Sequence, residues 1–141
     1  MRSVRKHSPL GIIMIDIDHF KQFNDIHGHE AGDAMLRAIG DFLKTKVRSE
    51  DVVCRYGGEE FAIILPEASL DITKERAEKL RGEVKLLNVE YHRKPLDTIT
   101  LSLGIAIFPD HGRNGEAVLK AADIALYRAK TEGRDKVVMA A

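Results

Sequence analysis

Four carboxylates in two short clusters hold most of the chemical potential of this 141-residue sequence. Asp16 and Asp18 close an apolar run, and Glu59 and Glu60 directly follow Gly57-Gly58. If the segments carrying them are neighbours, the acids converge, and packed carboxylates repel unless a cation joins them. Oxygen donors suit Mg²⁺ or Mn²⁺ rather than a soft metal. Mg²⁺ held by one or two carboxylates usually completes its shell with phosphate and water, so a nucleoside triphosphate fits the arrangement. On spacing alone the same acids read equally well as solvated loop residues, because exposed acids are common.

The elements that must position these acids are legible from periodicity. Leu10 to Ile15 form a nearly unbroken apolar run, the pattern of a buried strand with Asp16 at its exit. A short polar helix is expected over His19 to Ile26, then a break at Gly28-His29-Glu30 and a longer helix from Ala31 to Lys46. In that second helix Met35, Leu36, Ile39, Phe42 and Leu43 mark a core-facing stripe. Val52 to Tyr56 and Glu60 to Leu65 read as strands joined at Gly57-Gly58, a pair suited to the positive φ angles of a tight hairpin. Beyond Pro66, Ala77, Leu80, Val84 and Leu87 line one face of an amphipathic helix. Thr98 to Phe108 is a long strand with Gly104 at a bend or close backbone approach. Val118, Ala122, Ala125 and Ala129 face the core from a last helix that stops near Gly133, and Val137 to Met139 can close the sheet. The order β-α-α-β-β-α-β-α-β, with a hairpin in the middle, predicts an α+β fold whose central sheet is mostly antiparallel and flanked by helices.

The totals set limits on partners. Residues 1–141 read as a single domain, with no low-complexity linker and no internal repeat. A composition 44% hydrophobic and 31% charged argues against disorder. The 22 basic and 22 acidic residues cancel, which disfavours a nucleic-acid track or broad contact with an anionic membrane. The basic start, Met1-Arg2-Ser3-Val4-Arg5-Lys6, is followed by no signal-type apolar core, and no run is long enough to span a bilayer. Cys54 is the only cysteine and is expected to be a small buried thiol beside Val52-Val53. An intrachain disulfide is excluded, which suits a cytoplasmic location.

Arg55-Tyr56-Gly57-Gly58-Glu59-Glu60-Phe61 closely resembles the signature of the GGDEF family in its GGEEF form. Asp16-Ile17-Asp18-His19-Phe20-Lys21 matches as well, as do Asn24-Asp25, Gly28-His29, Gly32-Asp33, Ser102-Leu103-Gly104, Ala122-Asp123, Tyr127-Arg128-Ala129-Lys130 and Gly133-Arg134. The resemblance runs from Leu10 onward. It implies a fold like those of nucleotidyl cyclases and polymerase palms, and a diguanylate cyclase that condenses two GTP into cyclic di-GMP and two pyrophosphates. By that resemblance Asp16, the Ile17 carbonyl and Glu59 hold Mg²⁺ or Mn²⁺, and Glu60 stands near the attacking 3′-hydroxyl or a second metal. Asp18 is read as an orienting or structural acid. Asn24 and Asp33 match the guanine-reading positions, an amide for the base's polar edge and a carboxylate for N1–H and N2–H₂; the alternative for both is helix capping beside Gly28 and Gly32. Lys21, Lys130, Arg134 and the backbone amides around Phe20 match the phosphate contacts, although Lys130 and Arg134 would equally complement a helix dipole. His19 takes neither a metal nor an acid–base role.

Arg48-Ser49-Glu50-Asp51 fits the family's R-x-x-D motif, five residues before Gly57, and implies product inhibition by cyclic di-GMP bound to Arg48 and Asp51. Lys79 stands where many relatives carry a supporting arginine; it keeps the charge and loses the fork, so weaker inhibition is expected. The family's usual D-x-L-T-x-L-x-N-R segment and preceding helix are not matched, so the catalytic domain is expected to be trimmed at that end. Turnover requires a homodimer, because each domain presents one GTP, and an upstream sensory or receiver domain is the expected means of pairing. Two rival classes stand beside the enzyme: a non-catalytic receptor for cyclic di-GMP or GTP, and another nucleotidyl cyclase or palm-type polymerase. The intact set of Asp16, Glu59, Glu60, Asn24, Asp33 and Lys21 argues against the first, and the guanine-reading pair together with the lack of a basic nucleic-acid track argues against the second.

Overall fold

The structure, a computed structural model, describes residues 8–141, so the basic Met1–Lys6 start lies outside the described residues. Strand β1 (Leu10–Ile17) leads through α1 (Phe20–His27) and α2 (His29–Thr45) to the hairpin β2 (Val52–Gly57) and β3 (Glu60–Pro66). Helix α3 (Leu70–Glu83) follows and tightens into a 3₁₀ turn over Val84–Leu86. A short hairpin, β4 (Glu90–Tyr91) and β5 (Lys94–Pro95), precedes β6 (Leu101–Phe108), α4 (Gly115–Thr131) and β7 (Val137–Met139). Five strands form one sheet in the order β2-β3-β1-β6-β7, antiparallel except for the parallel β6–β7 pair. The fold is the expected α+β sheet, and only the β4–β5 hairpin has no counterpart in the sequence reading. That hairpin lacks an apolar alternation because it packs little; Tyr91 donates from its hydroxyl to Glu30 on α2.

The alternation of side chains along each strand divides the interior into two layers. Ile13, Ile15 and Ile17 of β1, with Phe61, Ile63 and Leu65 of β3, join residues of α1, α2 and α3 on one face. Ile12 and Met14, with Ala62 and Ala106, meet Val118, Ala122 and Leu126 of α4 on the other. By the same period of two, Asp16 and Glu60 project from the α4 face. Central β1 is buried throughout, which explains its unbroken apolar run.

The glycines expected to act do so unequally. A Cβ at Gly104 would lie 2.2 Å from the Ala122 carbonyl oxygen and 2.2 Å from the Leu126 nitrogen, so α4 rests directly on the β6 backbone. Gly28 separates α1 from α2 at φ 93°, and Gly133 ends the α4 region at φ 121°. Gly57 and Gly58 do not supply the left-handed turn that their pairing suggests, and a Cβ on either would meet nothing within 4 Å. The chain reverses instead through a register shift between Arg55 and Gly57. The Arg55 guanidinium donates to the Gly58 carbonyl at 2.9 and 2.7 Å and fastens the turn. Cys54 is exposed rather than buried. It lies on β2, an edge strand of the sheet whose residues are all exposed except the half-buried Val53.

Candidate active site

Antiparallel pairing sets Asp16 directly opposite Glu60, and the Ile17 amide donates to the Glu59 carbonyl at 3.3 Å. Two adjacent strand ends therefore bring the acidic clusters together, as required if they are to act jointly. An open cleft of about 270 Å³ collects Asp16, Ile17, Glu59, Lys21, Lys130 and Arg134, with the Phe20 start of α1 also on its wall. Lys130, in the last turn of α4, reaches across the sheet end and donates to Asp16 at 2.9 Å. Its role is thus more than complementing the helix dipole.

The acids are held out of their preferred state. Burial pushes the Asp16 carboxyl above its ordinary range; Lys130 opposes this, while Glu59 and Asp18 add to it. Glu60 is raised by burial, then by Asp16 and Asp123. Burial alone would lower Lys130, but its hydrogen bond to Asp16 and the surrounding acids outweigh that and raise it, keeping the ammonium charged. Of the cleft's three cations only Lys130 pairs with an acid among the described residues, so the clustered carboxylates still repel one another. All the donors are oxygens, so the residues fit a hard divalent cation. Among the described residues no group of three or more His, Cys, Asp or Glu side chains is arranged to hold a metal. The cleft offers the Asp16 and Glu59 carboxylates and the Ile17 backbone as oxygen donors.

Asp18 plays a different part. Its carboxylate accepts from Thr100 Oγ1 at 2.6 Å, from the Ser102 hydroxyl, and from the Asp135 amide at 3.0 Å. It is buried and satisfied, a tie between β1, β6 and the loop that carries Arg134.

Asn24 and Asp33 stand apart from the acidic cleft, on α1 and α2. The Asn24 Oδ1 is buried and has no hydrogen-bond partner, a costly condition for an amide unless a ligand supplies one. It occupies the space a side chain at position 32 would need: a Cβ on Gly32 would lie 1.8 Å from that oxygen. Asp33, the next residue, is exposed. Neither side chain caps its helix, since Gly28 is the cap between α1 and α2.

Arg48 and Asp51 form a tight turn between α2 and β2, with the Arg48 amide donating to Asp51 Oδ2 at 2.8 Å and the Asp51 amide to the Arg48 carbonyl at 3.0 Å. A groove of about 480 Å³ runs beside it, walled by Arg48, Lys46, Arg76 and Lys79 over a floor of Ile63 and Leu80. Lys79 lines the groove, but the ion pair to Asp51 comes from Arg76, at 2.9 Å. Sequence reasoning passed over Arg76, although it precedes Lys79 by one helical turn on the same face. Arg55 was visible only as part of the motif, and its clamp on the Gly58 carbonyl was not.

A family model described as "Diguanylate cyclase, GGDEF domain" matches residues 1–136. The chain belongs to the GGDEF family. Among similar proteins, Diguanylate cyclase DgcP of Pseudomonas aeruginosa is 42% identical over 139 residues, 99% of this GGDEF chain and 20% of the relative's own length. The chain thus spans about a fifth of that curated relative. The crystal structure of the GGDEF domain of YfiN (TpbB) from Pseudomonas aeruginosa superposes with a TM-score of 0.92 at 32% identity, covering 99% of this chain and 89% of that one. The GGDEF domain of DgcB from Caulobacter crescentus, solved in complex with c-di-GMP, gives 0.88 at 32% identity over 98% and 81%. Among the described residues of the GGDEF chain, no helix is long and apolar enough to cross a membrane.

Proposed function

We propose that residues 1–141 are one catalytic domain of a diguanylate cyclase, condensing two GTP into cyclic di-GMP and two pyrophosphates. The observation that carries the reading is the cleft in which Asp16, near the end of β1, and Glu59, in the adjacent β2–β3 turn, face Lys21, Lys130 and Arg134. Asp16, the Ile17 carbonyl and Glu59 would hold Mg²⁺ or Mn²⁺. When bound, the metal neutralises triphosphate charge and acidifies the attacking 3′-hydroxyl. Lys130, charged and already aimed at Asp16, turns with Arg134 and Lys21 to the phosphate oxygens, joined by the backbone amides around Phe20. Each 3′-oxygen bonds to the α-phosphorus of the other GTP as the bond to the β-phosphate oxygen breaks and pyrophosphate leaves. Glu60, its basicity raised by burial and by Asp16 and Asp123, takes the 3′-hydroxyl proton. Gly57 and Gly58 need no glycine for their own backbone, and their bareness keeps the turn open to a nucleotide.

Asn24 and Asp33 read guanine, and the unpartnered Asn24 oxygen supports this. Adenine would leave the Asp33 carboxylate unpaired, which selects GTP over ATP. Gly32→Ala is expected to evict the Asn24 amide and weaken GTP binding by about 10-fold or more, judged by titration calorimetry, because a lost polar contact at a buried site costs ~1–3 kcal/mol. Unchanged affinity would remove Asn24 from the base site.

Product inhibition belongs to the groove at Arg48 and Asp51, with Lys79 and Arg76 on its α3 wall. Arg48→Ala is expected to leave synthesis intact and abolish inhibition by added cyclic di-GMP; persistent inhibition would return Arg48 to an ordinary surface charge. The domain acts in the cytoplasm, paired by an attached sensory or receiver domain, and turnover needs two copies because each offers one GTP. The deciding assay is cyclic di-GMP formation from GTP and Mg²⁺ at a series of high protein concentrations. A rate that climbs faster than linearly with protein supports a cyclase that must dimerise. Tight GTP or cyclic di-GMP binding without product, even when two copies are fused to a dimerising partner, favours a receptor instead.

A further inference from the structure

Two consecutive residues after α4, Arg134 at φ 63° and Asp135 at φ 47°, lie in the left-handed region, directly after Gly133. Glycine is at ease there; residues with side chains are not, and persist in such conformations only where their surroundings over-determine them. Asp135 is held from two sides. From the sheet, its amide donates to Asp18, which is itself fixed by Thr100 and Ser102. From α3 and the 3₁₀ turn that follows it, Arg81 and Lys85 donate to its carboxylate at 3.0 and 2.8 Å. Burial alone would raise this carboxyl, but the hydrogen bonds from Lys85 and Arg81 prevail and lower it, so it stays ionised and paired. Arg81 is braced in turn by Glu78, one helical turn earlier. Arg134, by contrast, lines the acidic cleft, and among the described residues its guanidinium has no hydrogen bond or ion pair.

We propose that Asp135 is a positioning residue for Arg134, locking the loop between α4 and β7 to α3 so that the guanidinium stays turned toward the phosphates of the bound nucleotide. The inference rests on the phosphate-site reading above and deepens it: the triphosphate, not the base, is what the lock recognises through Arg134. Asp135 touches no substrate. Its effect is to keep in place a backbone turn that a free loop would abandon, so that Arg134 need not be ordered again each time a nucleotide binds.

The test uses 3′-deoxy-GTP, which cannot cyclise, and 3′-deoxyguanosine, which has the same base and sugar without phosphates. Both are titrated with Mg²⁺ into the 141-residue chain and its variants. Asp135→Ala is expected to weaken 3′-deoxy-GTP about 10-fold and leave 3′-deoxyguanosine unchanged, the latter also reporting an intact fold. Arg81→Met with Lys85→Met, which leaves the loop itself untouched, is expected to act in the same direction. Asp135→Asn, which tolerates the left-handed backbone but lacks the charge, should fall between. In an Arg134→Ala background Asp135→Ala should cost nothing further, whereas a merely structural role would subtract again. Equal losses for both ligands, or an undiminished loss without Arg134, overturn the inference while the phosphate site stands. If the unsubstituted chain binds 3′-deoxy-GTP no more tightly than 3′-deoxyguanosine, the phosphate-site reading fails and takes this inference with it.

Discussion

Glu60→Gln is expected to reduce cyclic di-GMP synthesis at least about 100-fold, beyond what loss of a residue that merely orients a metal ligand costs, and yet not to destabilise the domain. Glu60 stands opposite Asp16 in the β1–β3 register and near Asp123, and burial and both acids raise its carboxyl. Like charges directly opposite one another in a sheet are unfavourable, so neutralising one should gain a few tenths of a kcal/mol, reduced by solvent screening. The sign of the pH dependence follows. For a carboxyl raised in the folded state, the contribution to stability is full below its unfolded value and is lost as pH rises through the folded one. The ordinary values are 3.8 for Asp16 and 4.5 for Glu60, so the window opens just above them. The metal-free domain should lose stability there, and added Mg²⁺ or Mn²⁺ should raise its melting temperature more at neutral pH than in acid. Melting curves across pH, with and without metal, and an activity assay on the same samples check both halves. Full activity in Glu60→Gln, or a metal effect that does not grow with pH, would refute the assignment of the acids.

Gly104→Ala should be the most damaging small substitution in the chain. The added methyl would meet three backbone atoms of α4, the Leu126 Cα at 2.7 Å among them, and a helix backbone cannot step aside as a side chain can. The whole of α4 must lift from β6, at about 3 kcal/mol, the upper part of the usual range for overpacking. For a domain of this size that corresponds to a fall of about 10 °C in melting temperature. Because Lys130 rides on α4 and reaches Asp16 across the sheet end, synthesis should drop along with stability. A variant melting within about 2 °C of the unsubstituted chain would mean that α4 does not rest on β6 as described.

The elements were legible in the sequence because each is a local pattern. Apolar periodicity separates β1 from α2, the Gly-Gly break joins two strands, and Gly28 and Gly133 stop helices where the backbone turns left-handed. The acidic clusters were legible for the same reason, as adjacent residues at strand ends, and family resemblance named their chemistry. The hairpin at Gly57-Gly58 was right in outcome and wrong in cause, since its reversal depends on a bulge and on Arg55, which periodicity does not register. Cys54 was misread because an apolar run does not reveal whether a strand is central or at an edge.

What tertiary structure alone decided are the contacts between residues far apart in the chain. Lys130 meets Asp16 across 114 positions, Asp135 meets Asp18 across 117, and Arg76 meets Asp51 across 25. Such pairs depend on strand order, on which face of the sheet a helix covers, and on the rotation of that helix about its axis. Spacing along the chain carries the period of a side chain, and therefore its face within one element. It does not carry the packing angle between elements, and at this site that angle selects which lysine reaches the acids and which arginine holds the turn.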